Sequence, residues 1–344
     1  MKRFLIKLLP FVIWIFLLMV VVPVAIDPYN VFHVENIRDN GIEPNKNFLK
    51  TEYVIRHPDR FDAFLFGSSR VSSIHSDRIE GYRCYNMTYS EGVPKEHLEN
   101  LQVMLEHGVR PKMVLVGVDS ISYMIDPAIH EDNRLRCPYP MTREEKKEFY
   151  LQYLEPIMAV ESLKTTYFEP RVVAYDQKIY DVGWTLDYGV ESHTDWSKAE
   201  ADWTVQYANR TPQALEEIRQ LKELCDANGI ELVIFTNPMH VLTYEKAVEN
   251  GYRDFLSGLA QVTDFYNFSG INDITTNNDN YLETSHYMPQ VGDRMLDVMF
   301  KGRADERLLE QGFGYRVTCG NCEEFLRKYV DGAGQNGDLA MNLY

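Results

Sequence analysis

The sequence has few basic residues and lacks two common catalytic motifs. Lys and Arg number 35 against 51 Asp and Glu, which gives a formal net charge of −16. Nucleic acids are bound through basic surfaces, so this balance argues against a nucleic-acid partner. Neither an H-E-x-x-H pair nor a Walker-type phosphate loop occurs in the chain. We therefore expect neither a metal ion nor another cofactor.

Cysteine is also scarce, with five residues in 344. An odd number leaves at least one thiol without an intrachain partner. Cys319 and Cys322 form a C-x-x-C motif, but a structural zinc site needs a second pair of ligands. The motif therefore predicts an incidental pair or a local disulfide rather than a redox or metal centre.

One long apolar run stands near the N-terminus. Leu8 to Ile26 are nineteen residues without a charge, preceded by three basic residues and followed by Asp27. At about 1.5 Å per residue the run matches the hydrocarbon thickness of a bilayer. The charge asymmetry predicts a cytoplasmic N-terminus and an extracytoplasmic main domain in the cell membrane. We favour an uncleaved single-pass anchor over a cleaved signal peptide, whose apolar region is shorter.

The rest of the chain alternates strand-like and helix-like patterns. Short apolar runs predict buried strands, and amphipathic stretches between them predict helices. The predicted strands lie within residues 61–67, 82–89, 112–119, 231–238 and 262–268, and the predicted helices within 94–108, 211–229, 244–260 and 289–304. This rhythm indicates an α/β fold with a parallel sheet covered on both faces.

We divide the chain into a transmembrane anchor, a membrane-proximal spacer, an α/β domain and a C-terminal tail. These segments cover residues 1–26, 27–58, 59–305 and 306–344. An insertion at about 120–205 interrupts the rhythm, and it contains a predicted helix that starts with a capping box formed by Thr142 and Glu145. Connections of this kind lie over the carboxyl ends of parallel strands, where ligands bind.

The stretch "FLFGSSR" at residues 64–70 ends the first predicted strand on small polar residues. It suits an ordinary turn, and it also suits a serine nucleophile, Ser69, at the carboxyl end of a strand. A hydrolytic serine needs a base and a carboxylate that orients the base. His286 in "YLETSHYMPQVG" follows Glu283 by three residues and directly precedes a predicted helix. In a tight turn Glu283 reaches one imidazole nitrogen and leaves the other for Ser69.

These motifs, in this order, resemble the SGNH/GDSL hydrolase superfamily. "DPYNVF" after the anchor, "NKNFLK" in the spacer, "FGSSR" and "SHY" are similar to its membrane-anchored bacterial branch, which includes the D-alanyl-lipoteichoic acid transfer protein and the alginate O-acetylation proteins. The resemblance covers most of residues 27–305 except the insertion. It implies a flavodoxin-like three-layer SGNH-type domain behind one N-terminal transmembrane helix. The G-x-S-x-G elbow of the other large hydrolase fold is not met, because position 71 is Val.

The resemblance also implies roles for single residues. Ser69 is then the nucleophile, His286 the base and Glu283 the orienting acid, where the family usually has Asp. Backbone N–H groups of Ser69 and Gly92 would form the oxyanion hole. The family's Asn donor corresponds to Asp119, which cannot donate when ionised, so it has another role or is protonated.

Four further residues are candidates for substrate binding. Arg70 is either a solvent-facing residue or a contact for a substrate anion. Trp184, Trp196 and Trp203, the three tryptophans outside the anchor, either fill a small satellite core or form a platform for sugar rings.

The resemblance implies O-acyl chemistry on a cell-envelope polysaccharide or related polymer. Ser69 would carry the acyl group, and a polytopic membrane acyltransferase would supply it. Two alternatives remain open: a carbohydrate esterase of the same fold, and a scaffold or binding protein with a weakened oxyanion hole. The acyl group, the polymer and the oligomeric state cannot be predicted from the sequence.

Overall fold

A computed structural model describes residues 2–38, 42–168, 194–203 and 209–332 of the chain. The strands are β1 (Ala63–Phe66), β2 (Cys84–Asn86), β3 (Met113–Val118), β4 (Glu231–Thr236), β5 (Phe265–Asn267) and β6 (Tyr315–Val317). The helices are α1 (Lys2–Phe16), α2 (Val22–Ile26), α3 (Lys46–Arg56), α4 (Pro94–Glu106), α5 (Ser120–Met124), α6 (Ala128–Glu131), α7 (Arg143–Gln152), α8 (Pro156–Phe168), α9 (Thr211–Ala227), α10 (Val241–Glu249), α11 (Tyr252–Val262), α12 (Pro289–Lys301), α13 (Glu306–Glu310) and α14 (Cys322–Phe325).

The strands form a single mixed sheet in the order β2-β1-β3-β4-β5-β6. The first five are parallel, as predicted, whereas β6 pairs antiparallel with β5. The predicted C-terminal tail thus contributes an edge strand to the sheet. The chain order reverses between β1 and β3, and such a switch point opens a crevice at the carboxyl ends of the strands.

Alternate residues of the buried strands face two separate cores. Phe64 and Phe66 of β1 lie in one core with α4, α9 and α11, whereas Ala63 and Leu65 lie in the other with α12. This alternation follows from the period of two in a strand, and it places helices on both faces of the sheet. The α/β class predicted from the sequence is confirmed.

The helix expected over residues 244–260 is two helices. α10 ends at Glu249, and Gly251 adopts a left-handed conformation with φ of 95° before α11 begins. A residue in this conformation cannot continue a right-handed helix, and glycine adopts it at little cost. The capping box at the start of α7 forms as predicted, with Glu145 N donating to Thr142 Oγ1.

The N-terminal apolar helix continues from α1 through a π-helical turn, Leu17–Val21, into α2. Within the described residues, Ile6–Ile26 is the one helical stretch long and apolar enough to cross a membrane. This length and composition suit a membrane span or a signal sequence. The helix ends at Ile26, and the buried carboxylate of the next residue, Asp27, accepts hydrogen bonds from three following backbone N–H groups.

The segment predicted as a membrane-proximal spacer belongs to the packed domain. Tyr29, Val31 and Val34 are buried in the larger core, next to α3. The N-terminal apolar helix is therefore joined to the α/β domain by a folded connection rather than by a loose linker. All five cysteines are free thiols, so Cys319 and Cys322 form no disulfide.

Candidate active site

Ser69 stands at the carboxyl end of β1, where the strand stops at a glycine. Gly67 has φ of 153°, and a Cβ atom there would lie 2.4 Å from Val71 Cγ2. Only glycine fits this conformation and this space. Ser68 then caps the following 3-10 turn, accepting a hydrogen bond of 3.3 Å from Arg70 N. Ser69 is the first residue of that turn.

The structure brings Ser69, His286 and Glu283 together. Ser69 Oγ lies 3.0 Å from His286 Nε2, and His286 Nδ1 is hydrogen-bonded to Glu283 Oε1. In this arrangement Nδ1–H donates to the carboxylate, and Nε2 can accept the serine proton. The serine, the histidine and the carboxylate thus stand in the order that serine acyl transfer uses.

The loop before α12 holds the base and the acid in a tight turn. Tyr281 and Tyr287 form an isolated antiparallel bridge across it, and Leu282 N donates to His286 O at 2.9 Å. The second carboxylate oxygen of Glu283 accepts a hydrogen bond of 2.6 Å from Ser285 N. Both Glu283 oxygens are therefore engaged, which fixes the carboxylate beside the imidazole despite its additional methylene.

Gly92 lies against the loop that carries Ser69, but its N–H group already has a hydrogen-bond partner within the protein. A Cβ atom on Gly92 would lie 2.6 Å from the carbonyl oxygen of Gly67, so glycine permits the close approach of the two loops. Gly92 N makes a long hydrogen bond of 3.3 Å to Tyr89 O. If Gly92 N donated to an oxyanion, it would have to give up or share its hydrogen bond with Tyr89 O.

Asp119 accepts hydrogen bonds and does not act as the side-chain donor of an oxyanion hole. Its Oδ1 accepts from Ile121 N at 2.7 Å at the start of α5, and its Oδ2 accepts from Asn237 Nδ2 at 2.7 Å. Arg70 Nη1 lies 3.2 Å from Oδ1. Each of these partners is a donor, so Asp119 serves as a buried carboxylate that organises neighbouring loops.

Arg70 is buried, with 2% of its surface exposed, so it is not the solvent-facing residue considered from the sequence. Its guanidinium donates to Ser120 Oγ at 3.0 Å and to Ser285 Oγ at 3.2 Å, and it pairs with Asp119 and Asp202. These protein partners occupy all three guanidinium nitrogens. We therefore assign Arg70 to the internal charge network and not to a substrate anion.

Asp202 is a site residue that no sequence motif identifies. Its Oδ2 accepts a hydrogen bond of 2.7 Å from Arg70 Nη2 and one of 2.5 Å from the hydroxyl of Ser285, the residue before His286. Burial raises the pKa of Asp202, but the charge of Arg70 and the hydrogen bonds from Ser285 and Arg70 outweigh it and lower that pKa. Asp202 and Arg70 are 132 residues apart, so only the fold could reveal their contact.

The described end of the insertion, residues 194–203, packs along the loop that carries His286. Thr194 Oγ1 donates to Leu282 O at 2.7 Å, and Thr284 Oγ1 donates to Glu200 O at 2.7 Å. This part of the insertion thus contacts the loop that carries His286.

The tryptophans of the insertion differ in their environments. Trp184 lies outside the described residues. Trp203 is half-buried and packs against the larger core. Trp196 is half-buried, stacks on His240 with ring centroids 5.2 Å apart, and packs against the smaller core. Both described tryptophans are therefore partly buried against the two main cores, and neither fills a separate satellite core.

A buried ionic cluster lies behind the loop that carries Gly92. His130 is fully buried, with Nδ1 2.7 Å from Glu96 and Nε2 3.5 Å from Glu91. Glu91 has φ of 58° and also pairs with Arg136 at 2.5 Å. Burial lowers the pKa of His130, but its two carboxylate partners outweigh burial and raise it to about 9. The cluster therefore holds the loop most firmly when His130 is protonated.

A buried lysine supports the same loop from the other side. Lys50, from the "NKNFLK" stretch, donates to Thr88 O. Burial and the charge of Lys46 hold the pKa of Lys50 well below its usual range. Asn86 Oδ1 also accepts a hydrogen bond of 3.0 Å from Thr88 N, and Asn86 Nδ2 donates one of 3.2 Å to Ser72 O. The loops that carry Ser69 and Gly92 are thus fixed to each other.

No protein-family model matches the chain, and no curated protein shows significant similarity to it. The functional argument therefore depends on the residues and on the geometry of this site.

Proposed function

We propose that the chain is a membrane-anchored serine enzyme of SGNH/GDSL type that transfers an acyl group to a cell-envelope polysaccharide or related polymer. The observation that carries the proposal is the 3.0 Å contact between Ser69 Oγ and His286 Nε2, with Glu283 bound to the opposite nitrogen. A spacing of three residues between acid and base inside a bridged turn leaves little freedom to the imidazole, so the serine is held ready for proton removal.

The proposed reaction has two half-reactions. Ser69 Oγ attacks the acyl carbonyl while its proton moves to His286 Nε2, and the leaving group departs with that proton. A sugar hydroxyl then attacks the acyl-enzyme and gives its proton to His286, and His286 passes a proton to Ser69 Oγ as the serine leaves the new ester. Backbone N–H groups near Ser69 would stabilise the oxyanion, because Asp119 is an acceptor.

Two features favour a sugar acceptor over water. Residues 194–203 lie along the catalytic loop, where a cover can exclude water and hold an acceptor. The apolar N-terminal helix, as a membrane anchor, would keep the site beside a membrane-bound acyl donor. A polytopic acyltransferase is the partner that the family resemblance suggests as the source of that donor.

The first test is covalent labelling of the full chain in detergent with a fluorophosphonate. We expect the label on Ser69, with loss in Ser69→Ala and retention in Ser68→Ala. Ser68 is the matched control because its Oγ contacts Arg70 N and Asp119 rather than His286. Equal labelling of wild type and Ser69→Ala would refute Ser69 as the nucleophile.

The second test separates a transferase from an esterase and from a scaffold. We expect slow hydrolysis of a small acyl ester, and faster deacylation with acylated sugar as product when an envelope oligosaccharide is added. Rapid hydrolysis that no oligosaccharide affects would favour an esterase. The absence of an acyl-enzyme with any ester, together with no fluorophosphonate label, would favour a scaffold.

A further inference from the structure

Helix α8 leaves an apolar face exposed beside the anchor helix. α8 packs against α2 and reaches the π-helical turn that precedes α2. Its buried side consists of Ala159 and Ser162, and residues this small let two helices approach closely, as in membrane helix pairs. α8 is therefore fixed next to the end of the anchor, on the side where the α/β domain begins.

The exposed side of α8 has the composition of a membrane-contacting surface. The large apolar residues exposed there are Ile157, Val160, Leu163, Tyr167 and Phe168, with Ile157 74% and Val160 59% exposed. The charged residues of α8 are Glu161 and Lys164, which lie 3.7 Å apart as an ion pair. Five of the seven exposed residues of α8 are thus apolar, and a contiguous apolar surface of this kind is typical of a site that contacts protein or membrane.

We propose that α8 lies in the membrane–water interface on the extracytoplasmic side, with Ile157, Val160 and Leu163 in contact with lipid. It would be a second membrane-contacting element, and it would fix the orientation of the catalytic domain. Three observations select lipid as the occupant of this face. α8 continues the surface of the anchor, whose adjoining residues Leu17 and Met19 are themselves exposed and apolar.

The second observation is the position of α8. It packs against the last part of the anchor, where Val20, Val22 and Val24 are half-buried and Pro23 is buried. This is the depth at which interfacial helices insert. The third is the pair of aromatic side chains, Tyr167 and Phe168, at the end of α8, since aromatic residues favour the interface. The inference rests on the proposed membrane anchoring and extends it, because a single anchor helix alone would leave the domain free to tilt.

The test uses the full chain in vesicles of phosphatidylcholine and phosphatidylglycerol. A spin label is attached to Ile157→Cys or Val160→Cys in a Cys319→Ser background, which removes the exposed native thiol. Collision with oxygen, which concentrates in lipid, is compared with collision with a water-soluble nickel complex. Both positions are exposed, so the label should not disturb the fold. Val12→Cys in the anchor is the lipid reference, and Glu223→Cys on the exposed side of α9 is the water reference.

We expect the oxygen-to-nickel collision ratio at positions 157 and 160 to shift from the value of the water reference toward that of the lipid reference. Ratios equal to the water reference, with Val12 in lipid, would refute the inference and leave the anchor intact. A water-like ratio at Val12 as well would instead refute membrane anchoring. Labels at 157 and 160 that neither reagent reaches would show that a protein, either a second copy or another membrane protein, covers α8, which would also refute lipid contact.

Discussion

Removal of Arg70 should destabilise the protein more than removal of any exposed arginine. Arg70 and Asp119 are 2% and 1% exposed, and their closest charged atoms lie 3.2 Å apart. Arg70→Met keeps much of the side-chain volume but leaves Asp119 as a buried carboxylate without its cation. Such a charge cannot be rehydrated without opening the loops around α5, so the folded state bears the full cost.

The expected cost follows from the burial of the pair. Breaking a buried ion pair by removing one partner costs about 3–5 kcal/mol. For 344 residues, an unfolding entropy of about 2.1 cal/mol/K per residue gives about 0.7 kcal/mol/K, so the melting temperature should fall by about 4–7 °C. Arg83→Met is the matched control, because Arg83 is 61% exposed and pairs with Asp62 at 3.4 Å. Exposed pairs contribute about 0–1 kcal/mol.

The assay is thermal and denaturant unfolding of the full chain in detergent, followed by near-ultraviolet circular dichroism. A double variant, Arg70→Met with Asp119→Asn, removes the unpaired charge while the amide oxygen still accepts from Ile121 N. The double variant should therefore be more stable than Arg70→Met alone. Equal stability of the single and double variants would refute the idea that Arg70 balances Asp119, and an effect no larger than that of Arg83→Met would refute the burial argument.

Three other predictions concern the triad, the buried histidine and the tryptophans. Glu283→Gln should fold normally but lose orders of magnitude in ester turnover, whereas Glu283→Asp should retain much of it; equal turnover in wild type and the Gln variant would remove Glu283 from the triad. The folded-state pKa of His130 is about 9 against 6.5 for an unperturbed histidine, so protonated His130 stabilises the fold fully below pH 6.5 and this stabilisation is lost as pH rises through 9. The loss is about 3 kcal/mol in total, and the free energy of unfolding of His130→Gln should lack this pH dependence. Trp203→Ala should lower the melting temperature clearly, whereas Trp196→Ala should weaken oligosaccharide binding with a smaller thermal effect; a large thermal loss in both would leave only a core role.

Local signals predicted most of the sheet. The strands β1, β3 and β4 are short apolar runs whose ends are marked by glycine or polar residues, so each could be located without knowledge of its neighbours. The antiparallel edge strand β6 could not, because it has only three residues and Arg316 in its middle leaves no apolar run. The break between α10 and α11 depends on the backbone of Gly251, which a continuous amphipathic pattern conceals.

The site divides in the same way. Glu283 and His286 are three residues apart, so a turn brings them together whatever the rest of the chain does. The contact of His286 with Ser69 was predictable only through the topology, which gathers the carboxyl ends of parallel strands. The contacts of Asp202 with Arg70 and Ser285 had no sequence signal, because they depend on how residues 194–203 pack against the loop that carries His286.

Arg70 also provides the charge balance that an acceptor at position 119 requires. The SGNH/GDSL resemblance places a neutral Asn donor there, whereas a carboxylate near a developing oxyanion raises the energy of the transition state, most strongly where water is excluded. Arg70 lies 3.2 Å from Asp119 and 2.7 Å from Asp202, so one cation offsets charge on both sides of Ser285. We therefore expect Arg70→Met to slow acylation of Ser69 per folded molecule, and Asp119→Asn in the same chain to restore part of the rate. An unchanged acylation rate per folded molecule in Arg70→Met would restrict Arg70 to stability alone.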